Sequence, residues 1–160
     1  MDVPNIRRLN HAVLYVRDAQ RSAAFYRDVL GFETVQESAG GRAVFLRAGG
    51  SDNHHDLGLF GVGDVPHDQG TGLYHLAWQV DTIDELAEIR NRLVSAEALM
   101  GESDHGVSKS LYAQDPDGIE FEVMWMVPAS SWGRYATDAV VAPLDLAAEV
   151  ARWSGVVTRA

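Results

Sequence analysis

Along residues 9–16 the side chains alternate. Leu9, His11, Val13 and Tyr15 fall on one side of an extended chain, and Asn10, Ala12, Leu14 and Val16 on the other. Both sets are largely apolar, so the pattern predicts a strand buried on both faces. The period then changes. Asp18 stands as a helix N-cap, Ser22, Phe25, Tyr26 and Val29 recur at helical spacing, and Gly31 supplies the stop. Apolar runs at 32–35, 42–47 and 56–60, separated by Gly40-Gly41 and Gly49-Gly50, predict three further strands. The first unit thus reads β-α-β-β-β and ends near Phe60.

Residues 61–72 (GVGDVPHDQGTG) form a Gly-rich linker, with His67 expected to be exposed. The pattern then restarts. Residues 73–80 predict a strand, Thr82 and Glu85 a capping box, and Leu86, Ile89 and Leu93 the buried stripe of a helix. Residues 110–114 and 119–126 predict strands around the turn Asp115-Pro116-Asp117-Gly118. Leu9 and Leu73, His11 and His75, and Val16 and Val80 are each 64 residues apart, so Leu-x-His and its following Val occur twice at one offset. The expected organisation over 1–160 is a single domain. Module 1 covers about 7–60, the linker 61–72, module 2 about 73–127, and a tail 128–160. In the tail, Pro143 is expected to start a short helix with Leu146, Val150 and Trp153 on one face. That helix has two possible places, over an open end of the sheet or against a second subunit.

Composition narrows the chemistry. Of the 160 residues, 46% are hydrophobic and 22% charged, as in ordinary globular domains. Thirteen basic against 23 acidic residues leave a formal charge of −10, which repels phosphate backbones and anionic membrane surfaces. No nucleic-acid or membrane partner is therefore expected. The N-terminal residues lack an apolar run suited to a signal peptide, and no stretch approaches the about 20 apolar residues of a membrane span. A cytoplasmic location is the expectation. There is no cysteine, so any metal site must use nitrogen and oxygen donors, and six histidines are available.

His11 and His75 occupy equivalent places in the two modules. On the last strand, Phe121, Val123 and Trp125 share one face, and Glu120 and Glu122 the other. A carboxylate pointing inward among apolar neighbours is costly unless paired or metal-bound. Two imidazoles and one carboxylate form the facial triad that suits non-haem Fe(II). Singly, each residue has a plainer account: a hydrogen-bonded core histidine, or a solvated glutamate face. The paired spacing favours the triad.

The segments LNHAVLYVRDAQRSAAFYRDVLGFE, GLYHLAWQV and DHGVSKSLYAQDPDGIEFEVMW resemble the vicinal oxygen chelate superfamily, the group of glyoxalase I, bleomycin-resistance proteins and type I extradiol dioxygenases. The resemblance covers residues 7–127, with Ile119 standing where the family often has Asn. It implies an α+β fold of two paired βαβββ modules forming a cupped mixed sheet around a metal site, followed here by the helical tail. It implies His11, His75 and Glu122 as metal ligands. Glyoxalase-type members carry a fourth ligand, a Glu on the last strand of the first module. Subtracting the offset (122 − 64) places it at Gly58, between Leu57 and Leu59, with Asp56 the nearest carboxylate. The segment from His54-His55-Asp56 resembles the extradiol strand that begins with an acid–base histidine. Asp104-His105-Gly106 and Tyr112 resemble the outer histidine and tyrosine of those enzymes. The implied roles are His55 (or His54) as acid and base, His105 bonded to a substrate oxygen, and Tyr112 holding the second hydroxyl. In plain structural terms His54, His55 and His105 read as exposed turn residues, and Tyr112 as a half-buried strand aromatic.

The resemblance therefore implies an Fe(II)-dependent extradiol dioxygenase, with Mn(II) as the alternative ion, acting on a catechol-type aromatic diol and O2. Val13, Ala77 and Met124 are expected to wall the ring, and a homodimer is expected to cover open sheet edges. Two rivals accompany it. One is a glyoxalase-like lyase, isomerase or epimerase using Ni or Zn, and the other a resistance-type binding protein without catalysis.

Overall fold

The computed structural model describes residues 8–66 and 73–158. His67 and the rest of 67–72 lie outside the described residues. The chain divides into two compact units, Met1–Asp68 and Gln69–Ala160.

The first unit runs β1 (Ala12–Val16), α1 (Ala19–Leu30), β2 (Glu33–Glu37), β3 (Ala43–Arg47) and β4 (Leu57–Gly61), in the sheet order β1-β4-β3-β2. The Asp18 carboxylate accepts from the backbone N–H groups of Gln20 and Arg21, and Gly31 ends α1 in the left-handed conformation at φ 71°. The amphipathic helix buries Ala19, Ala23, Tyr26 and Val29, and β1, β3 and β4 bury Leu14, Val16, Val44, Leu46, Leu57 and Leu59. The strand expected over 9–16 is shorter and buries one face only. Val13 is 50% and Tyr15 75% exposed, because α1 covers just the Leu14–Val16 side.

The second unit repeats the plan with β5 (Leu76–Gln79), α2 (Ile83–Ser95), β6 (Leu99–Asp104), β7 (Ser108–Gln114) and β8 (Glu120–Met126), in the order β5-β8-β7-β6. Here too the first strand expected from the pattern is shortened. It starts at Leu76 rather than Leu73, and Leu73 and Tyr74 are exposed. The Thr82–Glu85 capping box forms reciprocally. Ile83, Leu86 and Leu93 are buried, whereas Ile89 of the expected stripe is half-buried. The opposing sheet face buries Leu111, Ala113, Phe121, Val123 and Trp125. Asp115 holds its turn by accepting from the N–H groups of Asp117 and Ile119, with Gly118 at φ 81°. Ile119 in place of the frequent Asn does not disturb that turn.

Strand β6 has no forerunner in the pattern. Its sequence, LMGESD, lacks period-two alternation, and a bulge between Leu99 and Gly101 shifts its register on β7.

The tail belongs to the second unit. After two short 3-10 turns, Ala129–Ser131 and Gly133–Ala136, comes α3 (Leu146–Trp153). The helix starts at Leu146 rather than at Pro143 because the Asp145 side chain caps it, accepting from the Ala148 N–H. Leu146, Val150 and Trp153 form its inner, half-buried face, and the Trp153 ring lies 5.9 Å from that of buried Trp125. Asp84 at the start of α2 accepts from the Ser154 hydroxyl and the Gly155 N–H, and these bonds hold its carboxyl below the usual range. No helix among the described residues is long and apolar enough to cross a membrane.

Candidate metal and substrate face

Both sheets carry the same register at the strand that follows each histidine. In β1 and β4 the parallel partners are Ala12 with Leu57 and Val13 with Gly58. In β5 and β8 they are Leu76 with Phe121 and Ala77 with Glu122. Adding 64 to any residue of the first set returns the second, so the offset seen in the sequence is a structural equivalence.

In the second unit β7 pairs with β8 without a bulge, Tyr112 opposite Glu122 and Ser110 opposite Met124. With Ala77 opposite Glu122 on the other side, one sheet face collects Ala77, Tyr112, Glu122 and Met124. The opposite face carries the core. His75 precedes β5 on the site face. Its Nε2 lies 3.3 Å from a Glu122 carboxylate oxygen, and its Nδ1 lies 3.5 Å from Glu120. Glu122 is 8% exposed. The His75 Nδ1 is buried without a hydrogen-bond partner. A metal with bonds of about 2.0–2.2 Å holds neighbouring donor atoms about 3 Å apart, so the His75–Glu122 separation suits two adjacent ligands.

Tyr112 and His105 form a dyad, with the Tyr112 hydroxyl 2.8 Å from His105 Nε2. His105 Nδ1 lies 3.0 Å from the Val140 carbonyl oxygen of the tail. His105 is thus half-buried and bonded at both nitrogens, not the exposed turn residue that its Asp-His-Gly setting also allowed. Burial, and then the nearby Glu122 carboxylate, push the Tyr112 hydroxyl above its ordinary pKa, so it keeps its proton.

In the first unit the His11 and His55 rings lie 4.6 Å apart, and His54 and His55 approach through Nδ1 atoms 3.1 Å apart. His11 Nδ1 is 2.9 Å from the Asn10 amide oxygen, which can only accept. The ring therefore donates there and leaves its Nε2 lone pair free. His55 also packs edge-on to Phe45 with ring centroids 5.1 Å apart. Burial, followed by the charges of His11 and His54, pushes the His55 pKa below 6.5, which keeps the imidazole neutral and able to take a proton.

Gly58 carries no ligand, and the Val13 and Phe45 side chains flank it. A Cβ there would stand 3.3 Å from the Val13 side chain and 3.5 Å from Phe45. Asp56 is engaged elsewhere. Its carboxylate accepts from the Ala48 N–H, the Ser51 hydroxyl and the Asn53 amide, which ties down the loop carrying His54 and His55.

Of the expected ligands, His75 and Glu122 are brought together within the second unit, and His11 lies in the first. Among the described residues no group of three or more His, Asp or Glu side chains is arranged to hold a metal ion. Glu120, placed on the face of Glu122 by alternation, lies beside His75. Two further contributors have no signal in the pattern. Phe45 follows only from the β3–β4 register, and Val140 contributes through its main chain.

Residues 8–123 match the Glyoxalase/Bleomycin resistance protein/Dioxygenase superfamily, and the chain belongs to that family. Catechol-2,3-dioxygenase of Bacillus subtilis is 32% identical over 133 residues, which are 79% of this chain and 44% of that protein. The chain thus spans less than half the length of that relative. Lactoylglutathione lyase of Salmonella typhimurium is 30% identical over 123 residues, 73% of this chain and 91% of the lyase. A glyoxylase/bleomycin resistance protein/dioxygenase domain from Frankia sp. EAN1pec has the same fold, with a TM-score of 0.65 at 22% identity, covering 78% of this chain and 96% of that domain.

Proposed function

We propose that this chain is an extradiol ring-cleaving dioxygenase that acts on a catechol-type aromatic diol and O2. In this reading His11, His75 and Glu122 hold Fe(II), or Mn(II) in its place. The observation that carries the reading is the contrast between equivalent positions. Glu122 stands 3.3 Å from His75, while Gly58 offers no carboxylate where a fourth ligand would fall. Three protein ligands leave room for both oxygens of a diol and for O2, and a fourth would not. The free Nε2 lone pair of His11 and the close His75–Glu122 pair fit such an ion.

A bound ion would supply Lewis acidity toward the diol and the redox partner for O2. The remaining roles fall to side chains. His55, held neutral, takes the proton of the second hydroxyl at a ring nitrogen and later returns it to an oxygen of the opening ring, with His54 as the alternative. Tyr112 bonds a diol oxygen beside Glu122. His105, with both nitrogens already bonded, acts through Tyr112 rather than on the substrate. Ala77 and Met124 present an apolar wall on the same face as Glu122. A homodimer completes the reading, since each four-stranded sheet ends in edge strands.

A lyase reading has one specific support, the match over 91% of a lactoylglutathione lyase. One experiment separates the two. Protein reconstituted anaerobically with Fe(II) and mixed with catechols in an oxygen electrode is expected to consume O2 and form a yellow ring-cleaved product. Turnover of a thiol hemithioacetal by the Ni(II) or Zn(II) form, without oxygen uptake, would establish the lyase instead. Binding of aromatic ligands without turnover in any metal form would establish a binding protein. His55→Ala should lower dioxygenase turnover by about 10²- to 10⁴-fold with metal content unchanged.

A further inference from the structure

The tail lies outside the matched family region, yet it reaches the Tyr112–His105 dyad. A backbone carbonyl has no proton to give, so the 3.0 Å contact between Val140 O and His105 Nδ1 requires the proton on Nδ1. In the neutral ring Nε2 then carries only a lone pair. The Tyr112 hydroxyl, 2.8 Å away, must be the donor in their shared bond. With its one proton committed to His105, the phenol oxygen meets anything on the sheet face with lone pairs alone. The opposite tautomer would reverse this, with His105 donating to Tyr112 and Tyr112 donating to its ligand.

Separate contacts keep the tail at this point. Asp104 and Ala142 exchange both backbone hydrogen bonds, at 2.8 and 2.9 Å. Tyr135 packs against Gly106, where a Cβ would come within 2.4 Å of its ring and where φ is +76°. The buried Lys109 ammonium lies 2.6 Å from the Asp104 carboxylate and 3.6 Å from Glu149 of α3, and Glu149 also accepts from the Trp153 indole N–H. Asp104 in turn accepts from the Gly106 N–H, which closes the turn that carries His105.

We propose that the C-terminal tail is a positioning element. Its Val140 carbonyl fixes His105 as the Nδ1–H tautomer, so that Tyr112 faces its ligand as a hydrogen-bond acceptor and selects a group bearing O–H or N–H. The ligand half of this rests on the dioxygenase reading of Tyr112, and the tautomer half does not.

The test uses the full chain, free of metal and substrate, labelled with 15N at histidine, with the two ring nitrogens of His105 read by NMR. In the wild type Nδ1 is expected at the N–H position and Nε2 at the lone-pair position. Tyr112→Phe should leave that assignment in place, because the carbonyl sets it. Ala142→Pro removes the N–H that pairs with Asp104, and in the folded protein the two nitrogen shifts should converge as the tautomers exchange. A wild-type Nε2–H tautomer would overturn the proposal. So would a switch to Nε2–H in Tyr112→Phe, which shows the phenol in control, or an unmoved tautomer in folded Ala142→Pro. Should Ala142→Pro not fold, the wild type and Tyr112→Phe still decide. No arm requires ring cleavage, so loss of the dioxygenase reading and loss of this one are separate results.

Discussion

The two units share a strand order and a strand register but not a site face. Val13 pairs with Gly58 where Ala77 pairs with Glu122, 64 residues on. Phe45 opposes Gly58 where Tyr112 opposes Glu122. The ligand-type histidine is present in both, as His11 and His75. The carboxylate and the phenol are present only in the second. The connection before the last strand also differs. From Phe45 to Gly58 is 13 residues and from Tyr112 to Glu122 is 10, and the three extra residues fall in the loop that holds His54 and His55. A duplicated scaffold thus supplies one imidazole per unit. Glu122 and Tyr112 stand in one unit, and His54 and His55, the histidines proposed to carry the proton, in the other. In the first unit glycine stands at the carboxylate's position, flanked by Val13 and Phe45, so the fold is repeated and the side-chain chemistry is not.

That asymmetry can be broken in a graded way. The largest effect is expected from Glu122→Ala, which removes the one buried carboxylate of the face. Removing the partner of a ligand commonly costs 10- to 100-fold in metal affinity, so loss of the ligand itself should exceed about 100-fold. Metal titration of the purified protein measures it. His11→Ala should match that loss if both units contribute, and metal affinity unchanged in His11→Ala would confine the metal to the second unit.

Tyr112→Phe comes next. It gives the second unit the residue that the first already carries at Phe45, so the ring packing should survive and the melting temperature should hardly move. His105 Nε2 then loses its partner. A loss of about 1–3 kcal/mol in transition-state stabilisation corresponds to about 5- to 160-fold in kcat/KM. A wild-type kcat/KM would remove Tyr112 from the site.

Gly58→Ala probes the other side of the comparison. Its Cβ would be tight against the Val13 side chain at 3.3 Å and in ordinary contact with Phe45 at 3.5 Å. The expected cost is about 1 kcal/mol of stability, at the lower end for overpacking, with metal affinity intact. Denaturant unfolding reads the first and metal titration the second. A loss of metal affinity instead would mean that the Gly58 face participates directly.

The smallest effect concerns pH. Burial raises the Asp104 carboxyl, but its bond with Lys109 and the Gly106 N–H outweigh that and hold it below 3.8. A carboxyl depressed by folding contributes stability that is present above its unfolded pKa and lost as pH falls through the folded value. The second unit should therefore lose stability progressively below about pH 4. In Asp104→Asn this part of the pH dependence should disappear, and an identical pH profile in the two proteins would show the ion pair to be energetically silent.

Much of this could be read from the residues in order. Asp18, Gly31, Thr82 and Glu85 announce the helix ends because capping is local chemistry within four residues. The inward Glu122 followed from alternation along β8, whereas its pairing with Tyr112 across the Asp115–Gly118 turn is set by the β7–β8 register. The 64-residue offset predicted the structural equivalence of His11 and His75. Strand β6 escaped because Gly101 and a bulge erase its alternation, and it depends for its pairing on β7. The exposed sides of Val13 and Tyr15 were misjudged because an apolar residue signals the capacity to be buried, and α1 covers only one face of β1.

The order of residues by itself determined the first βαβββ unit, the frame of the second apart from β6, the nitrogen-and-oxygen donor set of a chain without cysteine, and the inward face of Glu122. These follow from periods of 2 and 3.6 residues and from side-chain chemistry. Only the tertiary structure decided that the Asp56 carboxylate is bonded within its own loop, that Val13 and Phe45 flank Gly58, and that the tail folds onto the second unit. It also decided that a main-chain oxygen 35 residues from His105 sets that ring's proton. A backbone carbonyl is the same group at every position in the chain, so its partner is chosen by where the fold brings it.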